Sequence, residues 1–109
     1  MQYEITIDGS EIKDWSSFHK VFRDEMDFFE GYGNNMNAWF DCMSDIFTNG
    51  EFKSLSKFNL NASDFFTINV IHADQWNTQS KEIFLTFMES YSDLLESGKN
   101  YALSINKGT

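Results

Sequence analysis

The residues that could do chemistry in this chain are one cysteine, two histidines and a surplus of carboxylates. Cys42 lies between the polar and apolar faces of a helical stretch. No basic neighbour in sequence would lower its thiol pKa, so it reads as a small packing residue. His19, flanked by Phe18, Val21 and Phe22, reads as a packing or surface histidine. His72 follows an apolar strand, a better place for a catalytic group, but no partner motif accompanies it. No His/Cys/Asp spacing resembles a zinc site. No glycine-rich loop links a strand to a helix in a phosphate-binding pattern, because Gly31-Tyr32-Gly33 follows a helix. The expectation is a protein that is not an enzyme and has neither cofactor nor metal. The carboxylates carry more information. Asp41 and Asp45 are an i,i+4 like-charge pair, which costs a helix a few tenths of a kcal/mol. They also sit in the C-terminal half of their helix, where the dipole disfavours anions. A locally unfavourable choice points to a use elsewhere.

The strongest constellation combines that pair with the loop before it. Tyr32 stands between two glycines and leads into a helix on which Asn34, Asn37, Asp41 and Asp45 share one face. That is a compact polar, acidic surface with an aromatic beside it and no hydrophobic patch. It suits a cationic cleft in another macromolecule. The composition agrees: 17 Asp and Glu against 8 Lys and Arg give a net charge of −9 over 109 residues. Such a surface repels phosphate backbones and anionic lipid, which argues against nucleic-acid and membrane binding. No apolar run approaches the roughly 18–20 residues of a membrane helix, and MQYEITIDG does not read as a signal peptide. A single cysteine excludes an internal disulfide, and a cytoplasmic protein is the expectation.

The elements that must position this face follow from periodicity. Tyr3-Glu4-Ile5-Thr6-Ile7-Asp8-Gly9 alternates as a strand ending in an Asp-Gly turn. Ile12, Trp15, Phe18, Phe22 and Met26 mark one face of a helix capped by Asp14 or Ser16. Met36, Trp39, Phe40, Met43, Ile46 and Phe47 mark a second helix running toward Asn49-Gly50, with Trp39 at the edge of its apolar stripe. Residues 51–64 have no clean period and read as an irregular excursion with a helical turn near Ser54–Phe58. Residues 65–71 form a buried strand and His72–Gln79 a loop. A long helix follows, capped by Thr78 or Ser80 and closed by Gly98, and Tyr101–Ile105 is the last strand. The order β-α-α-β-α-β predicts a single α/β domain, a small three-stranded parallel sheet packed with helices. Ile, Leu, Val and Phe total 28 residues, enough for a core in a chain of this length.

The string Gly31-Tyr32-Gly33-Asn34-Asn35-Met36-Asn37-Ala38-Trp39-Phe40-Asp41-Cys42-Met43 resembles the signature of the barstar family. The turn Ile7-Asp8-Gly9-Ser10-Glu11-Ile12 and the histidine-bearing Phe18-His19-Lys20-Val21-Phe22 resemble it too. The likeness is close over about 1–47, looser over 65–105, and finds no counterpart over about 48–64. It implies an intracellular inhibitor, an immunity protein or antitoxin, that plugs the basic active-site cleft of a ribonuclease toxin as a 1:1 heterodimer. On that resemblance Asp41 occupies the enzyme's phosphate site, Tyr32 and Gly33 shape the entry loop, Asn35 caps the helix, and Asp93 matches an acidic contact on the last helix. Asn34, Asn37, Phe40 and Asp45 complete the expected contact set. Several positions depart from the family pattern. Asn37 stands where the family has an aspartate, Gly31 where it has an aromatic, Phe40 and Ile46 where it has tryptophans, and Asp45 where it has glycine. Two other readings remain open. One is an acidic regulatory or nucleic-acid-mimic module for another basic protein. The other is an immunity protein for a non-barnase toxin, bound outside its active site.

Overall fold

A computed structural model describes residues 1–108. The chain runs β1 (Gln2–Asp8), a short 3₁₀ turn (Gly9–Glu11), α1 (Trp15–Met26), α2 (Met36–Ser44), β2 (Phe65–Ile71), α3 (Ala73–Leu95) and β3 (Tyr101–Ile105). The three strands form a parallel sheet in the order β1-β2-β3. Ile5 pairs with Ile68 and Ile68 with Leu103, so side chains of one parity line up across the sheet. Both crossovers step the same way across it, and right-handed connections then place every helix on the same face. Burial follows: Ile5, Ile7, Phe66, Ile68, Val70 and Tyr101 are buried beneath the helices. Gln2, Glu4, Thr6, Phe65, Ala102 and Ser104 of the opposite face are exposed. Parallel sheets are usually covered on both faces. This one is narrow and carries polar residues on its outer face, so water can cover it.

Local sequence chemistry fixes the joints. Asp8 caps the 3₁₀ turn by accepting from the Ser10 N–H at 3.0 Å. Gly9 is required by packing: a Cβ there would lie 2.7 Å from the His72 carbonyl oxygen and 2.8 Å from Cβ of Trp76. Asp14 caps α1, accepting from the Ser17 N–H at 2.8 Å, and that bond holds its carboxyl below the usual range. Phe18, Phe22, Trp39, Trp76 and Phe87 are fully buried and form the aromatic centre of the core, Phe18 and Phe22 at 4.9 Å and Trp39 and Phe22 at 5.5 Å between ring centroids.

Five expectations are corrected. Trp15 does not join the core: it is the first residue of α1, 40% exposed, stacked on His19. Trp39 lies in the core and not at the edge of a stripe, with 0% exposure. Residues 73–79 are helix, not loop. Ala73 and Trp76 bury one side of them, and Ser80 (φ −155°, ψ 65°) kinks the helix while its hydroxyl donates to the Ile12 carbonyl at 3.1 Å. The second helix stops at Ser44, because Ile46 and Asn49 turn to bond Leu60: the Leu60 N–H donates to the Ile46 carbonyl and the Asn49 N–H to the Leu60 carbonyl. Residues 54–58 make no helical turn. The Ser54 hydroxyl instead donates to the carbonyls of Ser56 and Phe58, which holds the segment as an irregular loop. The excursion itself is as expected, with neither helix nor strand between Asp45 and Asp64.

Candidate partner-binding site

The loop before α2 is held from inside. Tyr32 is buried, and its hydroxyl lies 2.6 Å from Nδ1 of His19, which is buried too. Loss of water around both groups pushes the phenol pKa up and the imidazole pKa down, so His19 is neutral at pH 7. The Tyr32 ring also packs on Phe28 at 4.6 Å. Asn34 takes a left-handed conformation (φ 51°), and Asn35 then caps α2, its Oδ1 accepting from the Ala38 N–H at 2.8 Å. A buried tyrosine, an asparagine turn and an asparagine cap thus aim α2.

The exposed side of α2 faces α3 across an open groove of about 510 Å³, lined by Met36, Asn37, Phe40, Asp41, Ser90 and Asp93. Met36 and Phe40, one turn apart and half-buried, form an apolar floor. Asn37 and Asp41 rise from α2, and Ser90 and Asp93 from α3. Asp41 and Asp93 are exposed and take part in no ion pair among the described residues; the side-chain pairs join Lys20 and Arg23 to Asp24. The last turn of α2 contains no basic residue, although Lys99 Nζ donates to the Ser44 carbonyl at 3.3 Å. Two unpaired carboxylates over an apolar floor suit a guanidinium or ammonium on an apolar stem.

The structure brings together four of the expected contact residues, Asn37, Phe40, Asp41 and Asp93. It sets the other four apart. Tyr32 faces inward. Gly33 lies in the exposed entry loop. Asn34 precedes the helix instead of sharing its face, and lines a smaller pocket with Trp15, Ser16, His19, Lys20 and Arg23. Asp45 follows the helix as its half-buried C-cap (φ −91°, ψ −1°). Sequence reasoning missed Met36 as a floor residue and Ser90 altogether; Ser90 precedes Asp93 by three positions, the spacing that puts it on the same helical face. It also missed exposed apolar groups near the loop, since Phe29 is 43% exposed and Leu55 38%.

Other groups are committed or inert. Cys42 is buried, and burial together with the carboxylates of Asp41 and Asp45 pushes its thiol pKa up to about 11. It is a protonated packing residue at neutral pH. A second hollow of about 520 Å³ is lined by Asp8, Glu11, Asp24 and Glu25, but Asp8 caps the 3₁₀ turn and Asp24 pairs with Lys20 at 2.9 Å. No cluster of metal-binding side chains occurs among the described residues, and no described helix is long and apolar enough to cross a membrane.

Compared with known families, the chain matches the sequence model for barstar, the barnase inhibitor, over residues 2–105. It therefore belongs to the barstar family, whose members are protein inhibitors of a ribonuclease and not enzymes. The matched range includes residues 48–64. A comparison with curated proteins finds no match.

Proposed function

We propose that this chain is an immunity protein, or antitoxin, that binds a basic ribonuclease toxin one-to-one in the cytoplasm and closes its active-site cleft with α2, the loop before it and the facing edge of α3. The observation that carries this reading is the groove: Asp41 and Asp93 project unpaired from two helices over Met36 and Phe40, in a chain of the ribonuclease-inhibitor family. A ribonuclease must hold the phosphates of RNA, so its cleft presents arginine, lysine and histidine. A carboxylate entering there replaces phosphate in charge-assisted hydrogen bonds. Asp41 stands centrally on the exposed face of α2 and takes that role, while Asp93 meets a second cation across the groove. Phe40 offers its half-exposed ring beneath a guanidinium. The net charge of −9 steers a cationic enzyme toward this face and makes the association rate fall with salt.

Asn37 leaves the groove one charge poorer than the family pattern, and Asp45 adds an acid past the helix end. The test is steady-state inhibition of RNA cleavage, with barnase as one enzyme and, as the other, any basic ribonuclease domain found encoded beside this chain's gene. Inhibition that RNA substrate relieves competitively supports the reading. A complex that leaves cleavage unaffected places the contact outside the active site and overturns it, as does failure to bind either enzyme.

A further inference from the structure

The groove is aimed from the far end of α2 as well as from the loop before it. α2 has nine residues, fewer than the roughly 12–15 at which an isolated helix becomes even marginal in water, so contacts outside the helix must hold its ends. Asn35 holds the first turn. The last turn, Asp41–Ser44, leaves backbone carbonyls without partners inside the helix, and no basic residue in it offsets them. Side-chain donors reach three of them. The Ser44 hydroxyl donates to the Asp41 carbonyl at 3.1 Å, Lys99 Nζ to the Ser44 carbonyl at 3.3 Å, and the Tyr101 hydroxyl to the Met43 carbonyl at 2.6 Å. The first two bonds are exposed, so water can take the donor's place. The third is buried, with Met43 at 0% exposure and Tyr101 at 8%. Tyr101 opens β3 and pairs with Phe66 of the central strand, and its ring packs edge-on against Phe47 at 5.2 Å. Burial, with the Asp45 carboxylate adding to it, pushes its phenol pKa up, so the hydroxyl keeps its proton and stays a donor through the neutral range.

We propose that Tyr101 is a positioning residue for partner binding: its hydroxyl ties the last turn of α2 to the sheet and thereby fixes where the Asp41 carboxylate stands. The proposal rests on the groove reading above. Tyr101 does not line the groove and is buried beneath the helices, so it reaches a partner only through α2. Asp41 lies two residues before Met43, within the same turn of helix, so a shift of the Met43 carbonyl moves the Asp41 backbone with it. Met43 faces the core and Asp41 faces solvent, so a bond made on the inside of the helix is read on its outside. Loss of the hydroxyl leaves the Met43 carbonyl in a dry site with no donor, and the turn must open or tilt to reach water. A charge-assisted bond from a guanidinium to Asp41 tolerates little displacement, since its strength falls with both length and angle. When only a fraction of the molecules keeps the competent turn, the apparent affinity falls by that fraction.

The experiment measures affinity for a catalytically inactive form of a ribonuclease that the unaltered chain inhibits, well below every melting temperature, for Tyr101→Phe, Asp41→Ala and the double variant. Tyr101→Phe keeps the ring and its packing, and should weaken binding about fivefold. In the Asp41→Ala background the same change should weaken it by less than about twofold, because the carboxylate it positions is gone. Asp14→Ala is the control for stability alone: it uncaps α1, lowers the melting temperature and should keep wild-type affinity. Wild-type affinity in Tyr101→Phe beside a weakened Asp41→Ala overturns the positioning role and leaves the groove reading intact. So does a loss of the same size that persists without Asp41, or one that Asp14→Ala reproduces. Wild-type affinity in Asp41→Ala, or no binding by the unaltered chain to barnase or to any basic ribonuclease domain encoded beside its gene, overturns both.

Discussion

Replacing Tyr32 by phenylalanine removes one oxygen atom and tests how the loop before α2 is held. The Tyr32 hydroxyl lies 2.6 Å from Nδ1 of His19. The tyrosine is 6% exposed and the histidine 3%, so water cannot replace the lost partner. Leaving a buried polar nitrogen unsatisfied costs about 1–3 kcal/mol. For a domain of this size that lowers the melting temperature by roughly 4–12 °C. The assay is thermal and urea denaturation of wild type, Tyr32→Phe, His19→Asn and the double variant at neutral pH. If the two side chains act through their mutual bond, the double-mutant cycle gives a coupling of about 0.5–3 kcal/mol. pH adds an independent sign. Burial lowers the His19 pKa below 6.5, so as pH falls the unfolded chain takes up this proton before the folded one does. The contribution of neutral His19 is therefore complete above about pH 6.5 and is lost as pH falls from there toward its lowered folded value. Wild type should lose more stability than His19→Asn between neutral and mildly acidic pH, the carboxylates being common to both. Wild-type stability in Tyr32→Phe, or additive effects in the cycle, would refute the account of the loop.

Other outcomes follow from single contacts. Gly9→Ala should destabilise the protein by about 1–3 kcal/mol in urea unfolding, because the new methyl meets the His72 carbonyl and the Trp76 side chain with no room to move. Asn35→Ala should cost about 1 kcal/mol by uncapping α2 and should also weaken ribonuclease binding, since the first turn carries Asn37. With its thiol pKa near 11, Cys42 should react slowly with alkylating or disulfide reagents in the folded protein at mildly alkaline pH, and quickly once urea unfolds the chain. Brisk labelling of the folded protein would contradict its burial.

Much of the scaffold was legible because its residues obey one period at a time. The strand at 65–71 is bounded by Asp64 and His72 as its composition implies, and the last strand keeps its expected limits of Tyr101 and Ile105. Two helix limits were not legible. The stretch after His72 has only Ala73 and Trp76 as buried residues, among Asn, Gln, Thr and Ser that individually suit a loop; tertiary packing on Gly9 makes it a helix. The apolar spacing of the second helix runs on through Ile46 and Phe47, but backbone bonds from Ile46 and Asn49 to Leu60 divert the chain first. The site was half legible. Asn37, Phe40 and Asp41 belong to one short helix, and their shared face follows from spacing. The arrival of Asp93 and Ser90 opposite them depends on how α3 crosses α2, which no local pattern records. The inward turn of Tyr32 was equally hidden, because its partner His19 lies 13 residues away.

The central claim is that the carboxylate of Asp41 is placed for a partner at the expense of its own helix. Asp41→Ala removes an anion from the C-terminal turn of α2, worth a few tenths of a kcal/mol. It breaks no ion pair among the described residues. Calorimetric titration of the variant against a catalytically inactive form of a ribonuclease that the unaltered chain inhibits, beside its melting curve, measures both sides of that trade. Affinity should fall by about thirtyfold or more, a range for truncating one member of an interfacial charge pair that draws partly on the barnase–barstar pair itself. The melting temperature should hold or rise. Unchanged affinity, or a loss of affinity that comes only with a fall in melting temperature, would contradict the claim.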